Sequence, residues 1–596
     1  RDSTQTAYTG NTNSAVAEMT TGPEVIIDFQ GLNAEGIEIN GYSVTVDSVG
    51  ITGTGGSGTN AVEIEVSITG AIVQNCTLFS TYASTIKLES GAANNQILNN
   101  VLRNAGTGSA TADGLAFGGG NTGNTISGNQ IIDSAGYGID VVTGGGNNSN
   151  TITNNLIKGS GASASQLAGI AFRGGDNNTV SNNTITENAG AGILVINGDT
   201  GNRISQNAIF NNNGLGVDLN SAGGSVGDGV TANDPNDTDN FGGNNLQNYP
   251  VITSAVWSGA NTVVQGTLNS TDAANFDIEV FSNTVCNGDT LGAVQADTYG
   301  EGEVYRTTVN VTTVGNNASF TANIPINLTG QYITASAANT GNNDTSEFSQ
   351  CMLAVAPATI EFSAATASDS ENTGGNSPQL IVNGTLPVDQ TIDVTITGGT
   401  ATGGGSDYNH TVQVTIPAGT YAGAVAATIN LTVLGDTDIE ADETIDFLLA
   451  NPSAILTIGD ADSSGGTQVS HIYTINNDDA ALVEFAAASA SDAETSGGNI
   501  PQLLVIGNLA VPQTVDVAVT GGTATGGGTD YNQTTLVTIP ADSYDGTIAT
   551  AVSITLSIVS DILVEGDETI DFTLQNPSTG LLIGDADISG GTQGIH

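Results

Sequence analysis

The first half of the chain repeats one short pattern of apolar and polar positions. In each copy an apolar residue is followed, after two variable positions, by Asn and then, after one more, by a second apolar residue. The copies recur at intervals of roughly 25–30 residues, which is typical of one turn of a solenoid. The copies, of which the first has Thr77 at its last position, are Ile72-Asn75-Thr77, Ile97-Asn100-Leu102, Ile126-Asn129-Ile131, Ile152-Asn155-Ile157, Val180-Asn183-Ile185 and Ile204-Asn207-Ile209.

A second short strand, opened in most copies by Gly, belongs to the same period. We expect residues 24–245 to form a coil of stacked parallel strands, because apolar side chains can point inward while each Asn bonds to the Asn of the next turn. The density of Asn, Gly and Thr excludes a helical solenoid. The second strands are Gly36-Ile-Glu-Ile, Val62-Glu-Ile, Ile86-Lys-Leu, Gly114-Leu-Ala-Phe, Gly138-Ile-Asp-Val, Gly169-Ile-Ala-Phe, Gly192-Ile-Leu-Val and Gly216-Val-Asp-Leu.

Residues 246–355 change to alternation with a period of two. Turn residues separate the alternating runs, a pattern that predicts an antiparallel sandwich. Two of its residues, Cys286 and Cys351, we expect to pair, which implies an oxidising compartment; two free thiols in a cytosolic protein are the alternative. The predicted strands are Thr262-Val-Val-Gln-Gly-Thr-Leu, Phe276-Asp-Ile-Glu-Val-Phe, Ala318-Ser-Phe-Thr-Ala-Asn-Ile and Gln331-Tyr-Ile-Thr-Ala-Ser.

Residues 356–479 and 480–596 are one module written twice. The run Gly-Gly-Thr-Ala-Thr-Gly-Gly-Gly ends at Asp407-Tyr408 in the first copy and, with Thr529 for Ser406, at Asp530-Tyr531 in the second. The first copy closes with His471-Ile-Tyr-Thr-Ile-Asn and Asn477-Asp-Asp, whereas the second reaches His596 before this last strand. A sandwich without its last strand has an open edge that can pair with another chain.

The N-terminal segment, residues 1–23, lies outside the coil period and resembles that missing strand. Aligning Tyr8 with Tyr473 also aligns Thr9 with Thr474 and Asn11 with Asn476. Gly10 replaces Ile475, which weakens packing. We therefore predict a donor strand that completes the last sandwich of the next copy, so that head-to-tail self-association builds a filament; excision from a longer protein with a coincidental match is the alternative. The candidate donor residues are Thr4, Thr6, Tyr8 and Asn11.

Charge narrows the classes of partner. The formal net charge of the 596-residue chain is -53, with 60 acidic residues against 7 Lys and Arg. Such a surface cannot displace counterions from phosphates, so nucleic acid is excluded as a natural partner. The sequence contains no run of about 18 apolar residues, so we expect no membrane insertion. Repulsion among so many negative charges must be screened by salt or bound cations, which favours a cation-rich extracellular setting.

Two resemblances extend this picture. The coil resembles the right-handed parallel β-helix family of secreted bacterial proteins, and the phrases Asn248-Tyr-Pro-Val-Ile-Thr and Asn343-Asp-Thr-Ser-Glu-Phe-Ser-Gln-Cys351 resemble an immunoglobulin-like module that often follows such coils. The second resemblance likewise implies a Cys286–Cys351 bond. The fold class predicted is all-β: a right-handed parallel β-helix and three β-sandwich domains in an elongated rod.

The duplicated modules resemble the Calx-β family. The landmarks are Gly-Gly-Gly-Ser-Asp407-Tyr408, Ile-Pro-Ala-Gly419, Asp438-Ile-Glu-Ala-Asp-Glu443 and Asn477-Asp-Asp479. In that family acidic loops at one end of the sandwich bind Ca²⁺, which takes six to eight oxygen ligands. The resemblance implies these Ca²⁺ ligands: Glu371, Asp407, Asp438, Glu440, Asp442, Glu443, Asp478 and Asp479 in the first module, and Glu494, Asp530, Asp561, Glu565, Asp567 and Glu568 in the second.

The chain is not expected to be an enzyme. Hydrolysis of a glycan needs two carboxyl groups about 5–10 Å apart, whereas Asp140 and Asp218 in the column after the strand-opening Gly are predicted three turns, or about 14 Å, apart. A polysaccharide-binding or lyase-type β-helix enzyme is the alternative, with Lys158, Arg103 and Arg173 as the residues to test first. The function predicted is that of a secreted structural or adhesive protein, at the cell surface or in the matrix, and extracellular polysaccharide is a second candidate partner.

Overall fold

The computed structural model describes residues 25–29, 31, 36–56, 58–142, 145–162, 167–196, 198–221, 226–286, 299–495 and 497–596. These residues form strands and two short 3-10 turns, Gly243–Leu246 and Ile548–Thr550, and no α-helix. Within the same residues no helix is long and apolar enough to cross a bilayer. The all-β prediction is confirmed. The chain divides into two compact units after Pro357, and the proposed donor residues Thr4, Thr6, Tyr8 and Asn11 lie outside the described residues.

The coil consists of three parallel sheets. In each sheet a strand pairs in register with its counterpart one turn later. The first sheet contains Val25–Asp28, Val49–Thr52, Thr77–Phe79, Val101–Arg103, Gln130–Ile132, Leu156–Lys158, Thr184–Thr186 and Ala208–Phe210. The second contains Ile37–Ile39, Val62–Ile64, Ile86–Leu88, Leu115–Phe117, Ile139–Val141, Ala168–Phe172, Ala191–Val195 and Val217–Leu219. The third contains Thr45–Asp47, Ile72–Gln74, Gln96–Leu98, Thr125–Ser127, Thr151–Thr153, Thr179–Ser181 and Arg203–Ser205.

Each apolar-Asn-apolar pattern is therefore two strands with a corner between them, not one strand. The residue before the Asn adopts a left-handed conformation, as Asn99 (φ 55°) and Asn154 (φ 55°) do, and this turns the chain. The earliest pattern was assigned one residue out of register: Val73, not Ile72, is buried, and Cys76 stands in the column of Asn100. Asn75 is the corner residue of that turn, with φ 55°.

The predicted Asn ladder is present and fully buried. The backbone N–H and the Nδ2 of Asn129 both donate to Oδ1 of Asn155, at 2.9 and 3.0 Å. The Nδ2 of Asn129 also donates to the carbonyl of Ile97 at 2.8 Å. Asn155 repeats the arrangement with Asn183. A second ladder, which sequence reasoning missed, runs through Asn95, Asn124, Asn150, Asn178, Asn202 and Asn244.

The sandwich after the coil has sheets of three and four strands. Its core is Phe276, Ile278, Val264 and their neighbours, and Cys286 forms the predicted disulfide with Cys351. One sheet contains Val251–Trp257, Thr262–Asn269 and Asn317–Ile324; the other contains Val304–Thr312, Asn275–Asn283, Tyr332–Asn339 and Met352–Leu353.

Carboxylates of this sandwich cap the last turn of the coil. Oε1 of Glu301 accepts both the backbone N–H and the Nδ2 of Asn212 at 3.0 Å, so it stands where the next Asn of a ladder would stand. Glu347 also accepts a backbone N–H of the last turn, that of Leu219, at 3.0 Å. Burial raises the pKa of Glu301 to about 7. Coil and sandwich thus share one hydrogen-bond network.

We predict that Glu301→Leu lowers the free energy of unfolding of this unit by about 2 kcal/mol, because two buried N–H groups of Asn212 lose their acceptor. Urea unfolding followed by the fluorescence of Trp257 measures the change. The control is Glu301→Gln, whose amide oxygen can accept both bonds; because this variant cannot ionise, its stability should fall less than the native protein's as pH rises from about 5 to 8. Equal stability of the Leu and Gln variants would contradict the capping role.

The first Calx-β-like domain has two main sheets. One contains Gly419–Thr428, Gln379–Leu386, Ala358–Phe362 and Leu456–Ile458; the other contains Thr366–Ser370, Ser470–Asn476, Glu443–Ala450, Gln390–Gly399 and Gln413–Ile416. A small ribbon joins Tyr408–His410 and Leu431–Val433. The strand Asp438–Ile439 leaves this domain and pairs with Asn508 and Leu509 of the next one, and Ile439 is buried in that domain's core.

The second domain repeats these sheets, except at one side. One sheet contains Gln502–Leu509, Ala481–Phe485, Leu581–Ile583, Ser543–Asp545 and Val552–Ser553; the other contains Leu536–Ile539, Gln513–Gly522 and Ile570–Gln575; and the ribbon contains Tyr531–Gln533 and Leu556–Ile558. The counterpart of the strand Ser470–Asn476 is reduced to a bridge between Thr573 and Ile595 and a pair of bonds between His596 and Phe572. Its first residues are therefore present, which refines the prediction that the strand is absent.

Candidate metal centre and open groove

Parallel pairing builds the acidic end of the first Calx-β-like domain. The strands Thr366–Ser370 and Ser470–Asn476 run in parallel, so the residues that follow them meet at one edge of the sheet. Glu371 follows the first strand, and Asp478 and Asp479 follow the second. One carboxylate oxygen from each of these three residues lies within 4.8 Å of the other two.

A neighbouring loop brings a second carboxylate group to the same end. Asp436, Asp438 and Glu440 also place their ligand oxygens within 4.8 Å of one another. The loop is fastened to the sheet edge, since the N–H of Glu440 donates to the Asn477 side chain at 2.9 Å. Sequence reasoning missed Asp436, although it lies two residues before the predicted Asp438.

The two carboxylate groups, one around Glu371 and one around Glu440, raise the pKa values of each other's members. Burial and then the charge of Asp479 raise the pKa of Glu371 to about 7, with smaller contributions from Asp436 and Asp478. Burial raises the pKa of Glu440, followed by repulsion from Asp436. Carboxylates that raise one another's pKa form a site that favours a cation.

Two further predicted ligands, Glu443 and Asp407, lie at this end, whereas a third, Asp442, accepts a backbone hydrogen bond. Burial, followed by a hydrogen bond to Asp407, raises the pKa of Glu443 to about 7, with smaller contributions from Glu440 and Glu371. Asp442 instead accepts the N–H of Asn477 at 3.1 Å and fixes the turn.

The donor set fits Ca²⁺. One oxygen of Asp479, Oδ2, is buried without a hydrogen-bond partner, a costly arrangement that a cation would relieve. The carboxylate oxygens of Glu371, Asp436, Asp438, Glu440, Asp478 and Asp479 supply the hard ligands that Ca²⁺ prefers. A bound Ca²⁺ would neutralise their mutual repulsion and tie the loop to the sheet edge.

The second domain keeps part of this constellation. Desolvation, followed by repulsion from Asp561, Asp530 and Glu494, raises the pKa of Glu565. Desolvation, followed by repulsion from Asp530, raises the pKa of Glu568. Leu563 stands in the position of Asp438. Asp567, exposed here, lines a groove with Glu565 and Glu568.

That groove is the unfilled side of the second domain. In the first domain the strand Ser470–Asn476 lies between Thr366–Ser370 and Glu443–Ala450. In the second domain residues 489–493 form no strand, and a cavity of about 680 Å³ separates them from Ile570–Gln575. The apolar side chains of Ile500, Leu556 and Ile558 also line it.

The basic residues of the coil are held in ion pairs. Arg103 pairs with Asp133 at 3.4 Å and Lys158 with Glu187 at 3.0 Å, both at the surface. Arg173 donates through Nε and Nη2 to the two oxygens of Asp140, at 2.9 and 2.5 Å. The contacts agree with the prediction that these basic side chains balance negative charge on the acidic coil.

The repeat pattern did not predict one acidic pair in the coil, because one of its members lies before the strand-opening Gly and not in the column after it. Asp113 precedes Gly114 and lies beside Asp140 of the next turn. Burial, and then the charge of Asp140, raises the pKa of Asp113. Asp113 is 6% and Asp140 2% exposed, so Arg173 and the packed chain close this pair off from solvent.

Stacked parallel turns joined to antiparallel sandwiches with an acidic end define a modular all-β protein of the β-helix class. Residues 16–225 match the family described as periplasmic copper-binding protein (NosD), and residues 355–469 and 476–589 match the Calx-beta domain. The chain thus contains a NosD-type parallel β-helix domain and two Calx-β domains, which confirms the predicted resemblances to a β-helix and to Calx-β. Residues 16–225 contain no His, and their soft ligands for copper are one Met, Met19, and one Cys, the buried Cys76.

No curated protein is detectably similar to this sequence. Among solved structures, a mutant of the periplasmic alginate epimerase AlgG is 15% identical, with 28% of this chain and 35% of that chain covered and a TM-score of 0.23. CBD12 from CALX1.2 is 18% identical, with 37% and 80% covered and a TM-score of 0.19. The active domain of tailspike protein 2 from bacteriophage CBA120 is 12% identical, with 54% and 66% covered and a TM-score of 0.25. Each similarity is too distant to transfer an activity.

Proposed function

We propose that this chain is an extracellular structural or adhesive protein that associates head to tail through its second Calx-β domain and binds Ca²⁺ in its first. The observation that carries the calcium-binding part of the proposal is the acidic end of the first domain, where ligand oxygens of Glu371, Asp478 and Asp479 lie within 4.8 Å of one another. The head-to-tail part rests on the match of Tyr8, Thr9 and Asn11 with Tyr473, Thr474 and Asn476, because a strand of one copy can add to a sheet of another.

The extracellular setting is supported by covalent structure and charge. A disulfide joins Cys286 to Cys351, and such bonds persist in oxidising compartments. A net charge of -53 needs screening by salt or cations. The NosD family to which the coil is similar is described as periplasmic.

The assembly is tested by light scattering and electron microscopy of the full chain at physiological salt. The mass should rise with protein concentration, and the particles should be linear, because a strand from one copy and a groove on another do not close a ring. A constant monomer mass up to about 100 µM, far above typical nM–µM interface affinities, would reject self-association.

The calcium site is tested separately by titration calorimetry. We predict that Ca²⁺ binds the full chain and that Asp479→Asn with Glu371→Gln removes the tightest binding, because both residues supply ligand oxygens. The matched control is Asp389→Asn, an exposed acid of the same domain that accepts the N–H of Ala418, a bond that Asn can keep. Unchanged binding in the double variant would place the calcium elsewhere.

A further inference from the structure

Three carboxyl groups meet where the last turn of the coil contacts the sandwich. Asp218 belongs to the last strand of the second sheet of the coil, Asp228 to the loop that follows this strand, and Glu347 to the sandwich. Glu347 accepts the backbone N–H of Leu219 through Oε1 and that of Thr231 through Oε2, both at 3.0 Å. One glutamate therefore holds the loop against the coil strand, directly beside Asp218.

The loop folds closely over the side chain of Asp218. The N–H of Gly229 donates to Oδ2 of Asp218 at 3.4 Å, and a Cβ atom at Gly227 would overlap the same oxygen. Between these two glycines, Asp228 accepts the N–H and the Oγ–H of Ser221 through Oδ2, at 3.1 and 2.7 Å. The Gly-Asp-Gly sequence thus brings a second carboxylate up to the one that it covers.

No basic side chain balances this charge. Asp218 is 4% and Glu347 2% exposed, and within the described part of the chain none of the three acids takes part in an ion pair. Burial, followed by the charge of Asp228, raises the pKa of Asp218 to about 7. Burial raises the pKa of Glu347 well above its ordinary value, and the charges of Asp218 and Asp228 add to this shift. The three carboxylates therefore repel one another.

One oxygen of this cluster has no partner. Oδ1 of Asp218 is buried and accepts no hydrogen bond, an arrangement that is rare because it is costly. Asp140 occupies the same column of the sheet three turns earlier, and there both carboxylate oxygens accept bonds from Arg173. The chain thus supplies a cation for the acid at one position of the column and none for the acid at the other.

We propose that a Ca²⁺ ion binds between Asp218, Asp228 and Glu347, where it has the role that Arg173 has beside Asp140. Carboxylate oxygens are the hard ligands that Ca²⁺ prefers, and water can complete its six to eight ligands. The ion would offset the repulsion among the three acids and join coil, loop and sandwich. This site lies in the first compact unit, whereas the acidic end of the first Calx-β domain belongs to the second.

The single tryptophan of the chain reports on this unit. Trp257 ends a strand of the sandwich, and the Calx-β domains contain no Trp. Thermal unfolding of the full chain is followed by Trp257 fluorescence at pH 8 and fixed ionic strength, in EGTA and with Ca²⁺. At about 10 mM free Ca²⁺, roughly 100-fold above a dissociation constant of about 0.1 mM, the midpoint should rise by about 5 °C. An unchanged midpoint would overturn the proposal, whatever calorimetry finds for the first Calx-β domain.

Two amide variants identify the ligands. Asp218→Asn keeps an oxygen for the N–H of Gly229 and removes one repelling charge, so it should be at least as stable as the native chain in EGTA and should lose the calcium shift. Asp228→Asn, at an exposed position, can keep the bonds from Ser221 and should also lose the shift. If Asp218→Asn unfolds earlier than the native chain in EGTA, Asp228→Asn decides.

The matched control is Asp272→Asn. Asp272 is an exposed acid of the sandwich that accepts the N–H of Ala273 at 2.9 Å, a bond that Asn can keep. This variant should retain the full calcium shift. A full shift in both Asp218→Asn and Asp228→Asn would overturn the proposal.

A second acidic group in the same unit offers a competing location. Asp234, Asp237 and Asp239 place carboxylate oxygens within 4.8 Å of one another. Asp234→Asn should leave the calcium shift intact. If Asp234→Asn removes the shift and Asp218→Asn retains it, the ion binds in that group and the proposed site is wrong.

Discussion

Replacing Asn155 by Leu should lower the free energy of unfolding of the coil by about 4 kcal/mol. Asn155 accepts the backbone N–H and the Nδ2 of Asn129 through one oxygen and donates to the carbonyl of Ile126 at 2.9 Å. A Leu side chain makes none of these bonds and leaves several buried polar groups without partners, each costing about 1–3 kcal/mol. Circular dichroism during urea unfolding measures the loss.

The matched control is Gln96→Leu, which also exchanges an amide for an aliphatic side chain. Gln96 is exposed on the strand Gln96–Leu98 of the third sheet, so its substitution should change stability by no more than about 0.5 kcal/mol. If Asn155→Leu behaves like this control, the ladder stabilises the coil far less than its hydrogen bonds indicate, and apolar packing alone holds the turns together.

The spacing of apolar and Asn positions was sufficient to predict this ladder, because one buried polar column needs one Asn per turn. The same spacing could not show that each pattern bends at its centre. The bend depends on the left-handed conformation at residues such as Asn99, and Asn is common at both the bend and the ladder position. Asn75 was therefore placed in the ladder column that Cys76 occupies.

The cap of the coil could not be predicted from the period. Glu301 lies 89 residues from the Asn212 whose N–H groups it accepts, and no local pattern links them. The contact between Glu301 and Asn212 exists only because the sandwich packs on the last turn of the coil. The pair of Asp113 and Asp140 could not be predicted for a similar reason, since Asp113 precedes the strand-opening Gly114 and lies outside the repeating column that contains Asp140.

The acidic end of the first Calx-β domain was largely predictable from its motifs. Glu371, Asp478 and Asp479 follow two strands whose parallel pairing places them together. Asp436 was missed because it precedes the motif, and the engagement of Asp442 with the N–H of Asn477 depends on the fold of the turn. The motif thus indicates the region of the site, while backbone geometry selects its members.

Without Ca²⁺, the first Calx-β domain should lose stability as pH rises from about 5 to 8. The pKa of Glu371 and of Glu443 is about 7 in the folded domain, against an ordinary 4.5. Between these values the folded domain holds more protons than the unfolded chain, so the stability present below pH 4.5 is lost as pH passes 7. Calorimetric unfolding in EGTA at pH 5 and pH 8 measures the change.

Calcium should reverse this loss at pH 8. Because Ca²⁺ binds the ionised carboxylates of the folded domain, a free concentration 100-fold above its dissociation constant should stabilise that domain by about 3 kcal/mol. Asp479→Asn should abolish most of the gain, since it removes a ligand oxygen that has no other partner, whereas Asp389→Asn should retain it. Two results would contradict calcium binding at this end. One is an unfolding temperature that Ca²⁺ does not change at pH 8, and the other is an equal effect of Asp389→Asn and Asp479→Asn on the calcium response. Either result would mean that the carboxylates of the acidic end remain together without a cation.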